Sequence, residues 1–253
     1  MIHLEDLCIE RDGRSVLRGL QARIPRTGLT ALIGPNGAGK STLLHAMAGL
    51  LPPAQGRVMV GDTDIAAARP QHRAHLAALL TQSPMIVPRL TVSDLVGFGR
   101  WPHHRGRPDP HDRDLVQAAL TEFDLQELAG RSIDSLSGGQ RQRAYVAMAY
   151  AQATPWMLLD EPLSALDPRY ARDIMDRLWS LSRPGPDARG VVIVLHDLGM
   201  AARYADWVLS LRDGLLVSSG PRAEVMTSRD LSDLFDTSLA VEECRGHPVV
   251  VAV

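Results

Sequence analysis

The sequence predicts an α/β fold with a helical lobe set into it, and three observations carry that reading. Leu29–Ile33, Met157–Leu159 and Val191–Leu195 are short apolar runs, and each stops at a chemically active group: Gly34, Asp160 and His196. Such runs read as buried strands of a parallel sheet, whose ligands sit beyond the strands' carboxyl ends. Longer stretches of helical character separate them. Residues 84–153 differ from the rest, with helix-like stretches and no convincing alternating strand.

The bulk properties agree. The 253 residues suit one compact domain with an inserted lobe. Hydrophobic residues make up 45% and charged residues 22%, an ordinary globular balance. A net charge of −2 and an aromatic content of 4% give no electrostatic or stacking case for nucleic acid. Cys8 and Cys244 lie at opposite ends and form neither a metal-spaced pair nor a disulfide framework, which fits a reducing compartment. The opening MIHLEDLCIERDG lacks the apolar core of a signal peptide. No apolar run approaches the ~20 residues of a spanning helix, so a membrane role is expected only through a partner.

In chain order, residues 29–33 are expected as a strand and Lys40–Ala48 as a helix, closed by Gly49 with Pro52 and Pro53 beyond. Between them, Gly34-Pro35-Asn36-Gly37-Ala38-Gly39-Lys40-Ser41-Thr42 fits G-x-x-x-x-G-K-S/T in full. Glycines let backbone N–H groups turn inward around an anion, and the helix N-terminus adds partial positive charge. Lys40 is expected to reach the terminal phosphates and the Ser41 hydroxyl to bind Mg²⁺.

In the helical region, Leu115, Ala118, Ala119 and Phe123 recur at helical spacing after a polar, Pro-rich loop over 103–114. Arg100, Arg105 and Arg107 read as a solvated face or part of a partner contact. His103, His104 and His111 lack the spacing of a metal site. Leu136-Ser137-Gly138-Gly139-Gln140 then opens another helical stretch, Arg141–Ala149. Ser137 is a good N-cap, and Gly138 and Gly139 leave the first amides open to an anion. In isolation this segment is only a capped helix with a Gly-rich start.

Trp156-Met157-Leu158-Leu159-Asp160-Glu161 is an apolar strand ending in two carboxylates. Such a pair is common in solvated loops and helix caps. Beside a phosphate loop it reads differently: Asp160 holds the hydrated Mg²⁺, and Glu161 is the general base that polarises the attacking water.

A chain with a phosphate loop, LSGGQ and, soon after, an apolar-Asp-Glu strand end resembles the ABC-type ATPases over nearly its whole length. The resemblance implies a P-loop NTPase core with an antiparallel β portion (residues 1–83 and 154–253) and a helical subdomain (84–153) carrying LSGGQ. It implies ATP hydrolysis with Mg²⁺ by two copies, which bury two ATP molecules between them. Ser137, Gly138, Gly139 and Gln140 of one copy then close over the phosphates held by the other. Gln82, in TQSP, sits where the family has a glutamine that senses Mg²⁺ and the attacking water. Ser164-Ala165-Leu166-Asp167 matches the loop that crosses the dimer interface, and His196 the histidine on the γ-phosphate. One position departs: Arg11 stands where the family commonly has an aromatic that stacks on adenine, a role a guanidinium also fills.

Thr91-Val92-Ser93-Asp94-Leu95-Val96-Gly97-Phe98-Gly99-Arg100-Trp101-Pro102-His103 resembles a stretch in the ATPase subunits of importers for iron–siderophore complexes, haem and cobalamin. Two permease subunits are implied as partners through the 82–103 region, with a substrate-binding protein acting indirectly, and the cytoplasmic membrane face is implied as the location. After about residue 240 little chain remains for a regulatory domain. The competing readings are a soluble ABC ATPase acting on nucleic acid or ribosomes, and a small-molecule kinase. The first expects insertions or basic extensions that are not seen, and the second leaves LSGGQ and 164–167 unexplained.

Overall fold

The protein is seen as a computed structural model that describes residues 1–82, 89–164 and 166–253. Residues 83–88, within the expected lobe boundary and partner region, and Ala165 of the expected interface loop lie outside the described residues.

The chain opens with β1 (Ile2–Arg11) and β2 (Arg14–Ile24), an antiparallel pair turned by Asp12 and Gly13 at φ 52° and 72°. Positive φ at both turn positions matches the right-handed twist of the strands. Along β1 the buried residues run Ile2, Leu4, then Leu7, Ile9. The change of phase falls at Asp6, whose φ of 47° marks a bulge that keeps apolar side chains on one face. Then come β3 (Leu29–Ile33), α1 (Lys40–Met47), β4 (Gln55–Val60), β5 (Thr63–Asp64), α2 (Pro70–Leu76) and β6 (Ala77–Leu80). The lobe holds α3 (Val92–Phe98), α4 (Trp101–His104), α5 (Pro110–Glu122), two 3₁₀ turns and α6 (Gly138–Ala151). The core resumes with β7 (Trp156–Asp160), α7 (Pro168–Leu181), β8 (Gly190–Val194), α8 (Leu198–Tyr204), β9 (Trp207–Arg212) and β10 (Leu215–Pro221). It ends with α9 (Arg222–Val225), α10 (Ser228–Phe235), β11 (Leu239–Cys244) and β12 (His247–Ala252). After residue 240 the chain thus completes a hairpin, held to the core through Leu239, Val241 and Val250.

Two sheets build the core. β2-β1-β4-β5 form the antiparallel sheet, and β10-β9-β3-β8-β7-β6 the main one. In the main sheet β6, β7, β8, β3 and β9 run parallel, with β10 antiparallel on the edge. β3, β7 and β8 are buried at every position, as strands covered on both faces must be. One apolar cluster joins this sheet to the lobe and α7; the other packs α1 and the antiparallel sheet on its opposite face. Each fully buried Val, Leu or Ile there contributes about 1.5–3 kcal/mol against exposure. The parallel order brings the carboxyl ends of β3, β7 and β8 to one edge, and with them Gly34, Glu161 and His196.

The lobe is helical, and no strand occurs there among the described residues. Three sequence readings need correction. Arg100 is not on a solvated face: it is 4% exposed and pairs with Asp112 at 3.0 Å. Its Nη1 also donates to the Ala151 and Gln152 carbonyls at 3.1 and 3.2 Å, tying α4 to α5 and α6. The polar loop is shorter than 103–114, because α4 runs through His104 and α5 begins at Pro110. Asp109 caps α5 by accepting from the Asp112 amide at 2.8 Å, while the Asp112 carboxylate accepts from the Asp109 amide, with Pro at the first helical position. Finally, the face α5 buries is Asp112, Ala119 and Leu120, and Ala118 is exposed.

Candidate functional site

The phosphate loop is shaped by two close approaches. Gly34 sits at φ 145°, and a Cβ there would lie 1.9 Å from the Leu211 carbonyl oxygen, so no other residue fits. Gly39, at φ 99°, caps α1 in the left-handed region, and a Cβ there would meet the Leu17 side chain at 2.6 Å. Both glycines let the backbone wrap back toward the start of α1. The Lys40 ammonium lies inside the wrap, donating to the Gly34 carbonyl at 2.8 Å and the Pro35 carbonyl at 2.9 Å. Burial lowers its pKa, and the Glu161 and Asp160 carboxylates oppose that shift.

Asp160 ends β7 and is 2% exposed. Burial raises its pKa, the hydrogen-bonding Ser41 hydroxyl opposes the shift, and Glu161 adds to it. Its Oδ1 is buried with no hydrogen-bond partner. The Asp160 carboxylate, with one oxygen unpartnered, and the Ser41 hydroxyl make a donor set of hard oxygens, which suits Mg²⁺.

Glu161 follows at φ 49°, a left-handed conformation uncommon for a side chain of this kind. Its carboxylate is held at both oxygens: Gln82 Nε2 donates to Oε2 at 2.7 Å, and His196 Nε2 lies 2.5 Å from Oε1. The second contact places the imidazole proton on Nε2. Gln82 follows β6, Glu161 follows β7 and His196 follows β8, so the sheet order itself makes the triad.

Lys40, Gln82, Glu161 and His196 line one cavity of about 570 Å³, together with Asn36, Gly37, Ala38, Gly39, Ser41, Thr42 and Val16, and Asp160 lies buried outside that lining. Gly34 and Pro35 stand behind it as acceptors for Lys40. Two predicted groups are elsewhere. Arg11 is exposed at the end of β1 beside Asp12, outside the cavity lining, and Val16 of β2 is the hairpin residue that lines it. The sequence carried no signal for Val16, whose position depends on how the hairpin folds over the loop. Ser137, Gly138, Gly139 and Gln140 form the N-terminus of α6, with a capping box in which Ser137 accepts from the Gln140 amide at 3.2 Å. Within one chain they do not line the cavity.

A cavity built from a phosphate loop and a doubly held glutamate, with the buried Asp160 carboxylate behind it, is the site of a nucleotide hydrolase, and a separate helix start with LSGGQ narrows that class. The ABC transporter family matches residues 17–164, more than half of the chain, and the chain belongs to it. It is an ATP-binding transport ATPase. It is 39% identical over 232 residues to the petrobactin import ATP-binding protein FatE of Bacillus anthracis, covering 92% of each. It is 39% identical over 259 residues to the hemin import ATP-binding protein HmuV of Pseudomonas aeruginosa, covering 100% of each. Among solved structures, an inward-facing metal-chelate type ABC transporter superposes with a TM-score of 0.86 at 27% identity, over 100% of this chain and 97% of that one. A dimeric ATP-binding cassette with ADP and Pi gives 0.79 at 26% identity, over 88% and 99%. No helix among the described residues is long and apolar enough to cross a membrane.

Proposed function

We propose that this chain is the motor subunit of an importer for iron chelates, either iron–siderophore complexes or haem. Two copies work at the cytoplasmic face of the membrane, attached to two permease subunits that receive cargo from a binding protein. The functions named for the relatives, petrobactin and hemin import, support the cargo class. The chemistry rests on one observation, the convergence of Gln82 and His196 on Glu161 at the mouth of the phosphate cavity.

In this reading the amides of 34–42 and Lys40 bind the ATP phosphates. Glu161 accepts a hydrogen bond from the attacking water, and Gln82 and His196 fix the carboxylate that does so. His196 also faces the γ-phosphate. Ser41 and Asp160 hold Mg²⁺, with Gln82 at its hydration shell; the ion, when bound, neutralises charge on the phosphoryl oxygens. Ser137, Gly138, Gly139 and Gln140 of the second copy close the cavity from above. Val16 gives the base an apolar edge, with Arg11 of the same hairpin as the stacking group.

Residues 84–153 act as a lobe distinct from the core of 1–83 and 154–253. On the described part of the lobe, Leu90, Gly97, Phe98, Trp101, His104 and Val116 help line a groove of about 620 Å³. Phe98 and Trp101 are 47% and 53% exposed. Two large aromatics left open at a groove support docking of an apolar cytoplasmic helix of the permease. The test is uptake of a radiolabelled ferric siderophore, and of haem, by cells lacking this gene. Restoration of either by the wild-type chain but not by Glu161→Gln is the expected result. Normal uptake of both in the deletion strain would overturn the cargo assignment.

A further inference from the structure

Arg143 lies on α6, in the second turn after the Ser137 cap, and is only 6% exposed. Its Nη1 donates to the Phe123 carbonyl at 3.4 Å, and its Nε is buried without a partner. A buried guanidinium so thinly bonded needs another source of stabilisation. An aromatic face supplies it: the guanidinium carbon lies 4.6 Å from the centroid of the Tyr170 ring. The negative face of the ring attracts the cation, more strongly where water is excluded. Tyr170 belongs to the first turn of α7, where Asp167 caps the helix by accepting from the Arg169 and Tyr170 amides at 3.0 and 3.1 Å. The backbones of α6 and α7 do not pack closely, so the stacked side chains bridge a lobe helix to a core helix. The far end of α6 is tied to the core through Gln152, whose Nε2 donates to the Ala74 carbonyl at 2.7 Å. The Arg143–Tyr170 stack is a second tie, nearer the end that carries LSGGQ. Arg177, further along α7, pairs with Asp124 of the lobe at 2.7 Å, but that aspartate side chain is 63% exposed and such a pair holds little.

We propose that Tyr170 is a positioning residue: by holding Arg143 it sets the angle of α6 to the core, and so the direction in which residues 137–140 face a second copy. The inference rests on the reading that two copies close around ATP. In a two-fold pair each chain lends its phosphate loop to one site and its α6 start to the other. Both sites close together only when the angle between lobe and core is the right one in each chain. Tyr170 does not line the phosphate cavity, so its loss leaves nucleotide binding in that chain's own loop intact and shows in pairing alone.

The experiment is sedimentation equilibrium of the full chain with ATP and Mg²⁺ in a Glu161→Gln background, alongside equilibrium dialysis of ADP. Adding Tyr170→Leu, which removes the ring, is expected to weaken pairing at least about tenfold, the worth of one desolvated cation–π contact. Adding Tyr170→Phe, which keeps the ring face, leaves pairing within about threefold of the background. ADP affinity stays within about threefold in both, because neither change touches the phosphate loop. Arg143→Leu is expected to weaken pairing as Tyr170→Leu does, and joining the two adds little more, since both remove one interaction. Unchanged pairing with Tyr170→Leu overturns the proposal, and so does equal loss with Leu and Phe. Failure of Tyr170→Leu to fold, or a matching fall in its ADP affinity, also overturns it, because the stack would then serve general stability. The parent reading has its own control: if Glu161→Gln alone stays monomeric with ATP, the copies do not meet through nucleotide and the inference falls with that reading. A background that pairs while Tyr170→Leu pairs equally well sinks the inference alone.

Discussion

At the scale of single residues, the site is a set of side chains whose places are fixed by their neighbours in sequence or in the sheet. Glu161 is the sharpest case, with both oxygens held by protein side chains. Glu161→Gln keeps the size of the side chain but can no longer accept a proton as a carboxylate. Loss of a positioned general base costs about 10²–10⁴ in rate. Phosphate release by that variant should therefore fall by at least about a hundredfold, while ATP binding, measured by equilibrium dialysis, stays within about threefold of wild type. Turnover at the wild-type rate would remove Glu161 from the role. Most of these residues were legible beforehand because the phosphate loop is contiguous and its chemistry is local: glycines, one lysine and one hydroxyl in a fixed count. Asp160, Glu161 and His196 were legible because each sits at the end of an apolar run. Val16 was not, because its contact with the cavity comes from a hairpin folding over the loop. No periodicity in β2 reports that.

Elements join at buried polar contacts, which the sequence shows less well. Arg100 looked like one of several solvated arginines, yet it and Asp112 are the two sides of an ion pair with side chains 5% and 7% exposed. The missed signal was the run Asp109-Pro110-His111-Asp112, a capping box that starts α5 and aims Asp112 inward. Breaking a buried pair by deleting one partner strands the other charge and costs about 3–5 kcal/mol. Asp112→Ala should lose that much in a urea titration, and Arg100→Ala a similar amount. Burial alone would raise the Asp112 pKa, but the Asp109 amide and the Arg100 guanidinium together hold it below the usual aspartate value. A carboxyl depressed in the folded state stabilises at pH above its unfolded pKa, and that stability drains away as pH falls through the folded one. Wild type should therefore lose stability on acidification below about pH 4 more steeply than Asp112→Ala does. Parallel acid titrations of the two would show it, and matching slopes would mean that the pair carries no such linkage. The capping box at Ser137 makes a milder prediction. Ser137→Ala should cost about 1 kcal/mol of stability through the lost cap.

On the scale of the whole molecule, the chain holds two glycine-rich helix starts that do not meet within it. One lines the phosphate cavity; the other, at the N-terminus of α6, is exposed and its amides reach no part of that cavity. In the proposed pair a second copy, turned to face the first, brings the two together, and a two-fold pair does so twice with one contact surface. On that proposal ATP is part of the interface, its phosphates bonded to both chains, and assembly is expected to follow nucleotide. Glu161→Gln, expected to bind ATP and hydrolyse it only slowly, should sediment as a dimer with ATP and Mg²⁺ and as a monomer with ADP. Adding Ser137→Glu to that variant sets a carboxylate where the γ-phosphate of the facing copy must lie. Like charges so close, in a site closed to water, repel by several kcal/mol. The double variant should still bind ATP in its own phosphate loop yet remain monomeric at every nucleotide concentration. A dimer that survives this charge would show that the exposed start of α6 faces something other than bound nucleotide, and that the copies meet through another surface.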